Sequence, residues 1–97
     1  MKRLEYRIRV PNRIAEALRI LHPDLKKNVK GSLKSILANP KEGKELRDEL
    51  SGLRSFRVSR FRIIYRVQKD VIEIVTIGPR EKIYEDTLLV LKRGAQK

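Results

Sequence analysis

The sequence predicts an α+β domain: an N-terminal strand, a two-helix hairpin and an antiparallel three-strand meander that together form a four-stranded sheet, followed by a short C-terminal helix. Three observations predict it. Apolar residues alternate at period two near the N-terminus and again from Leu53 to Ile77, and between those stretches they recur at helical spacing. Proline and glycine mark the seams, at Pro11, Pro23, Pro40, Gly52 and Gly78-Pro79. The 97 residues, 40% hydrophobic and 37% charged, allow one core, so one domain is expected over 1–97.

In chain order, Leu4, Tyr6, Ile8 and Val10 alternate with Glu5, Arg7 and Arg9, the pattern of a half-buried strand. Pro11 cannot extend a ladder, and Asn12 is placed to cap a helix. Ile14, Leu18 and Leu21 carry that helix to about His22, where His22-Pro23-Asp24 breaks and restarts the chain. The second helix sets Leu25, Val29, Leu33, Ile36 and Leu37 on one face, with Lys26, Lys27, Lys30 and Lys34 elsewhere. Asn39-Pro40 stops it, because the residue before proline is driven out of helical geometry. Residues 41–52 are polar and contain Gly43 and Gly52, so they read as a loop with one helical turn over Lys44–Glu49.

Phe56 and Val58 differ in parity from Phe61, Ile63, Tyr65 and Val67. A two-residue turn at Ser59-Arg60 repairs this by pairing Val58 with Phe61. A second turn at Lys69-Asp70 pairs Val67 with Ile72 and Tyr65 with Ile74. The third meander strand then runs over Val71–Ile77, and Tyr84–Lys92, with Leu88, Leu89 and Leu91, forms the last helix.

Composition narrows the function. Twenty-four Lys+Arg against 12 Asp+Glu give a net charge of +12, which attracts RNA, DNA or an acidic protein segment. A thermophile's charged surface is the competing account, but such surfaces mix the signs more evenly. The absence of cysteine excludes a disulfide scaffold, a thiolate zinc site and thiol catalysis. The one histidine, His22, removes His–His metal sites, and its place at a helix junction makes it structural. No apolar run approaches the ~18–20 residues of a membrane span, and no leader with a cleavage site is seen. A soluble cytoplasmic protein is expected, with no membrane contact and no metal or other cofactor.

The meander register brings arginines together. If Val58 opposes Phe61, Arg57 opposes Arg62 on the face away from the helical hairpin, and like charges so placed destabilise a sheet by up to roughly 1 kcal/mol. Arg66 falls opposite Glu73, where an ion pair is expected. Arg62 pairs with Ile77 in this register, and Arg80 emerges just beyond, with Tyr84 within reach. The same face carries Ile64, Val75 and Ile77, so it is expected to be a shallow apolar floor with a cationic rim. Such a rim suits a bound phosphate, whose oxygens match the planar guanidinium fork. Single arginines are usually solvated, as are the lysines of the second helix, and a lone Tyr84 is more often packed than a stacking platform.

The run LANPKEGKELRDELSGLRSFRVSRFRIIYRV and then VTIGPREKIYED resemble the RelE/ParE toxin superfamily of toxin–antitoxin modules. The matching elements are Asn39-Pro40, Gly43-Lys44 with Leu46, the Phe56–Val58 strand, Arg62-Ile63-Ile64-Tyr65 and the Gly78-Pro79-Arg80 exit. The likeness covers about Leu4 to Leu91. It implies a RelE-like fold and a type II toxin neutralised by a RelB-like antitoxin that wraps the sheet and basic face. In the RelE branch it implies metal-independent cleavage of messenger RNA on the ribosome, by attack of the 2′-hydroxyl on the adjacent phosphate. By motif, Arg62, Arg80 and Tyr84 take the catalytic positions. Arg57, Ser59 and Arg66 are expected to hold substrate. Arg57 and Ser59 stand where the family carries lysines, and arginine cannot act as a base. The general base is thus open among Tyr84, Glu81 and a ribosomal group. The ParE branch implies instead a non-catalytic gyrase inhibitor, and a generic basic RNA-binding domain is the third alternative. Arg80 and Tyr84 favour the RelE branch.

Overall fold

Two amphipathic units clasp opposite faces of one sheet in the computed structural model, which describes residues 5–95. The elements are β1 (Arg7–Arg9), α1 (Asn12–Arg19), α2 (Pro23–Ala38), β2 (Lys44–Glu45), β3 (Arg54–Val58), β4 (Phe61–Gln68), β5 (Val71–Pro79) and α3 (Ile83–Ala95). The sheet runs in the order β1-β5-β4-β3-β2, with β1 parallel to β5 and the other pairs antiparallel. The α+β class is as expected, with five strands rather than four. Leu4 of the expected first strand lies outside the described residues.

The helical hairpin covers one face. Ile14 of α1 and Val29 and Ile36 of α2 pack with Val58, Ile63, Tyr65, Ile72 and Ile74 in the larger core. Two local details differ from expectation. Asn12 is the first helical residue and not a side-chain cap; the Pro11 carbonyl accepts from the N–H groups of Ile14 and Ala15. Helix α1 ends at Arg19, short of His22, whose Nδ1 accepts from the Asp24 N–H at 3.2 Å and so caps α2. Proline at the next position donates nothing and is pre-set for helix entry.

Strand β2 replaces the helical turn expected over Lys44–Glu49, and a 3₁₀ turn forms later, at Asp48–Leu50. The cause is a set of long-range bonds that hold 40–45 extended beside the meander. The fully buried Tyr65 hydroxyl donates to the Pro40 carbonyl (2.8 Å) and accepts from the Gly43 N–H (2.9 Å). The Arg54 guanidinium donates to the carbonyls of Gly43 (2.7 Å) and Lys41 (3.1 Å). A Cβ on Gly43 would stand 2.5 Å from the tyrosine oxygen, so only glycine fits this approach.

Both predicted hairpin turns form. Val58 pairs with Phe61, Arg57 with Arg62, Val67 with Ile72, Tyr65 with Ile74 and Arg66 with Glu73. Ser59 and Lys69 take the positive φ that two-residue loops demand, 55° and 56°. Beyond Ile74 the expected register fails. A β-bulge at Val75 shifts the pairing, so Ile64 faces Thr76 and Arg62 faces Gly78 rather than Ile77. The Arg13 guanidinium takes up the carbonyl of Val75 at 2.8 Å. The bulge turns Ile77 toward the hairpin-side core and lets β5 run to Pro79.

The far face is not an open apolar floor. Ile64 and Val75 are buried with Leu53 and Ile83 in a second core, flanked by Leu46, Leu50, Val90 and Leu91. Helix α3 is longer than expected and lays Ile83, Thr87, Val90 and Leu91 on the sheet, at i, i+4, i+7 and i+8, leaving Leu89 54% exposed.

Candidate functional site

Alternation along the strands determines which arginines share a face. Arg57 and Ser55 on β3 and Arg62 on β4 have the same parity as Ile64, so they lie on the α3 side of the sheet. Arg57 and Arg62 are direct partners, and the Arg62 Nη1 donates to Ser55 Oγ at 3.0 Å, which orients that guanidinium. The next strand end is tied in by backbone: the Arg80 N–H donates to the Arg60 carbonyl at 2.9 Å, so the exit of β5 lies against the Ser59-Arg60 turn. Arg57, Ser59, Arg60, Arg62 and Arg80 thus gather at one end of the sheet. Tyr84 follows in the first turn of α3, 41% exposed.

Among the described residues, no carboxylate comes within 4 Å of the guanidinium groups of Arg57, Arg60, Arg62 or Arg80; the ion pairs lie elsewhere. These arginines are thus left without a close ion-pair partner, and a phosphate is the ligand that guanidinium forks fit best. Arg66 behaves differently. Its Nε donates to Glu73 Oε1 at 2.7 Å, and it lines a separate concavity of about 730 Å³ with Arg9, Arg13, Glu73, Val75 and Arg93. The structure separates Arg66 from the other expected substrate-holding residues.

Sequence reasoning missed three groups at this end of the sheet. Arg60 was treated only as a turn residue; with the bulge, Phe61 pairs with Pro79, and the turn meets Arg80. Ser55 shares the parity of Arg57, a signal that was available. A third group, Asp86, faces the same end: its Oδ2 lies 3.7 Å from the point where a Cβ on Gly78 would stand. Among the described residues, no three His, Cys, Asp or Glu side chains form a metal-binding group, and no helix is long and apolar enough to cross a membrane.

A hairpin-clasped sheet that gathers arginines at one end defines a small cationic α+β protein with a basic rim. Residues 23–84, more than half of the chain, match the family described as the ParE toxin of type II toxin–antitoxin system, parDE. The chain belongs to this family of type II toxins, within the RelE/ParE superfamily. Solved structures agree on the fold. The RelBE2 toxin–antitoxin complex from Mycobacterium tuberculosis is 26% identical, with a TM-score of 0.69 over 78% of this chain and 99% of that one. A free mutant of E. coli toxin RelE is 23% identical, with a TM-score of 0.72 over 92% and 97%. The archaeal RelE–RelB complex from Pyrococcus horikoshii is 23% identical, with a TM-score of 0.65 over 78% and 96%. No curated protein matches the chain.

Proposed function

We propose that this toxin is a RelE-like endoribonuclease that cuts messenger RNA on the ribosome and is held inactive by a RelB-like antitoxin. The observation that carries this is the set of arginines at one sheet end with no ion-pair partner within 4 Å, followed in the chain by exposed Tyr84. Arg62 and Arg80 stabilise the phosphorane-like charge that builds as the 2′-oxygen attacks the adjacent phosphorus. Arg57 and Ser59 hold the flanking backbone, and Tyr84 stacks on a base to keep attacking and leaving oxygens in line. Phosphoryl transfer asks mainly for positioning and for neutralisation of charge, and guanidinium groups supply both. The antitoxin assignment is supported by solved relatives that are toxin–antitoxin complexes.

Primer extension on messages after induction tests the proposal. Wild type is expected to give cuts at fixed codon positions, while R80A and R62A each lose at least 100-fold in cleavage and no longer arrest growth, with unchanged far-UV circular dichroism. Intact messages together with gyrase-linked DNA damage would replace this reading with the ParE-like one, to which the family match also points. Intact messages without DNA damage, with only sequence-blind RNA affinity, would leave a basic RNA-binding domain.

A further inference from the structure

Arginine cannot accept a proton at physiological pH, so the cationic rim holds a phosphate but does not by itself activate the attacking hydroxyl. His22, the only histidine, caps α2. Besides Tyr84, Glu81 and a ribosomal group, α3 offers a further proton acceptor in an unexpected position. The row of α3 that faces the sheet is Ile83, Asp86, Thr87 and Val90, at i, i+3, i+4 and i+7. Ile83 and Thr87 are fully buried and Val90 packs on the second core. Asp86 thus occupies a sheet-facing place where an apolar residue would bury more surface, and it is itself half-buried.

Its floor is Gly78, the residue directly opposite Arg62. A Cβ at Gly78 would stand 3.4 Å from Ile83 Cδ1 and 3.7 Å from Asp86 Oδ2, ordinary contact distances that place the carboxylate over Gly78. A half-buried carboxylate is costly without a partner, yet among the described residues Asp86 makes no ion pair within 4 Å. Of the charged residues on this end, Arg62 stands opposite Gly78 on β4, Arg80 follows Gly78 by two residues, Lys82 precedes α3, and Glu85 lies on the same helix. Glu81 and Glu85 are exposed, and Glu73 is engaged by Arg66.

Building on the endoribonuclease reading, we infer that Asp86 is the general base that deprotonates the 2′-hydroxyl of the messenger. The hydroxyl proton passes to an Asp86 carboxylate oxygen as the O2′–P bond forms. The P–O5′ bond breaks, the departing 5′ oxygen takes a proton from water, and Asp86 returns its acquired proton to solvent, leaving a 2′,3′-cyclic phosphate. A carboxylate over Gly78 that makes no ion pair within 4 Å stays free to receive that proton, while the arginines stay free to bind the phosphate.

The test is single-turnover cleavage of ribosome-bound messenger across pH by wild type, D86N, D86E and E85Q. D86N is expected to slow cleavage 10²- to 10³-fold and to abolish the fall in rate on acidification. Its affinity for a 2′-deoxy, uncleavable messenger and its thermal melt stay those of wild type. D86E keeps the acid limb, and E85Q, which removes a neighbouring charge from the same helix turn, matches wild type in rate and profile. A D86N rate within threefold of wild type overturns the assignment and leaves the nuclease standing. So does a slowed D86N or a D86E whose pH profile contradicts these shapes. A wild-type protein that leaves the messenger intact removes the nuclease, and Asp86 as its base with it.

Discussion

Tyr65 shows what one side chain does for this architecture. Its ring is in the larger core, while its hydroxyl satisfies the Pro40 carbonyl and the Gly43 N–H, two backbone groups that would otherwise be buried unpaired. Burial pushes the phenol pKa above its ordinary value, and the Gly43 N–H bond and the Arg54 charge pull it partly back. A folded-state pKa above the unfolded one means that the unfolded chain loses its proton first. The contribution to stability is whole below about pH 10 and drains away as pH rises toward the folded value. Y65F is expected to cost about 1–3 kcal/mol at pH 7, because it orphans both backbone groups. It is also expected to reduce the stability lost between pH 9 and 11. Urea titrations at the two ends of that range check both statements.

At the scale of elements, the part of the fold written in alternation was legible. The two hairpin turns and the pairings from Val58–Phe61 to Val67–Ile72 follow from parity, since a slip by one residue would carry every apolar side chain to the wrong face. The bulge was not legible: Val75 sits in an unbroken β-branched run with no glycine to mark the extra residue, and its support, Arg13, comes from α1. Strand β2 was hidden for a related reason. Lys44-Glu45 has no apolar pattern and is fixed by backbone bonds to residues far along the chain. Missing the bulge misassigned the partner of Arg62 and concealed the meeting of Arg60 with Arg80, while Ile64 and Val75 looked exposed because the packing of α3 on that face was not seen. The convergence of Arg57, Arg62 and Arg80 was still readable, because it depends on the first hairpin and the end of β5. Helix α3 therefore matters as core. I83A is expected to destabilise the fold by about 2–5 kcal/mol by emptying the centre of the second cluster, which chemical denaturation measures.

For the whole molecule, a net charge of +12 sets a long-range field, whereas the proposed phosphate contacts of the rim are local, and salt separates the two. RNA affinity is expected to fall at least tenfold between 50 and 200 mM monovalent salt. R62A and R80A should each reduce the slope of log affinity against log salt by about one, as expected when one phosphate contact is lost. K34A, on the exposed surface of α2, should leave that slope nearly unchanged. Fluorescence anisotropy with a labelled single strand distinguishes these outcomes; equal slopes for all three variants would mean that the rim touches no phosphate.

Strand β5, which lies between β1 and β4, also governs when the molecule takes shape. Strand β1 has no hydrogen-bonding neighbour until residues 71–73 exist, and Arg80 follows later still. A nascent chain emerging from its own ribosome therefore carries an unclosed sheet until translation has passed Pro79, and such distant pairing is slow to find. The arginines at that end of the sheet therefore come together only once β5 has been made and has found its place between β1 and β4.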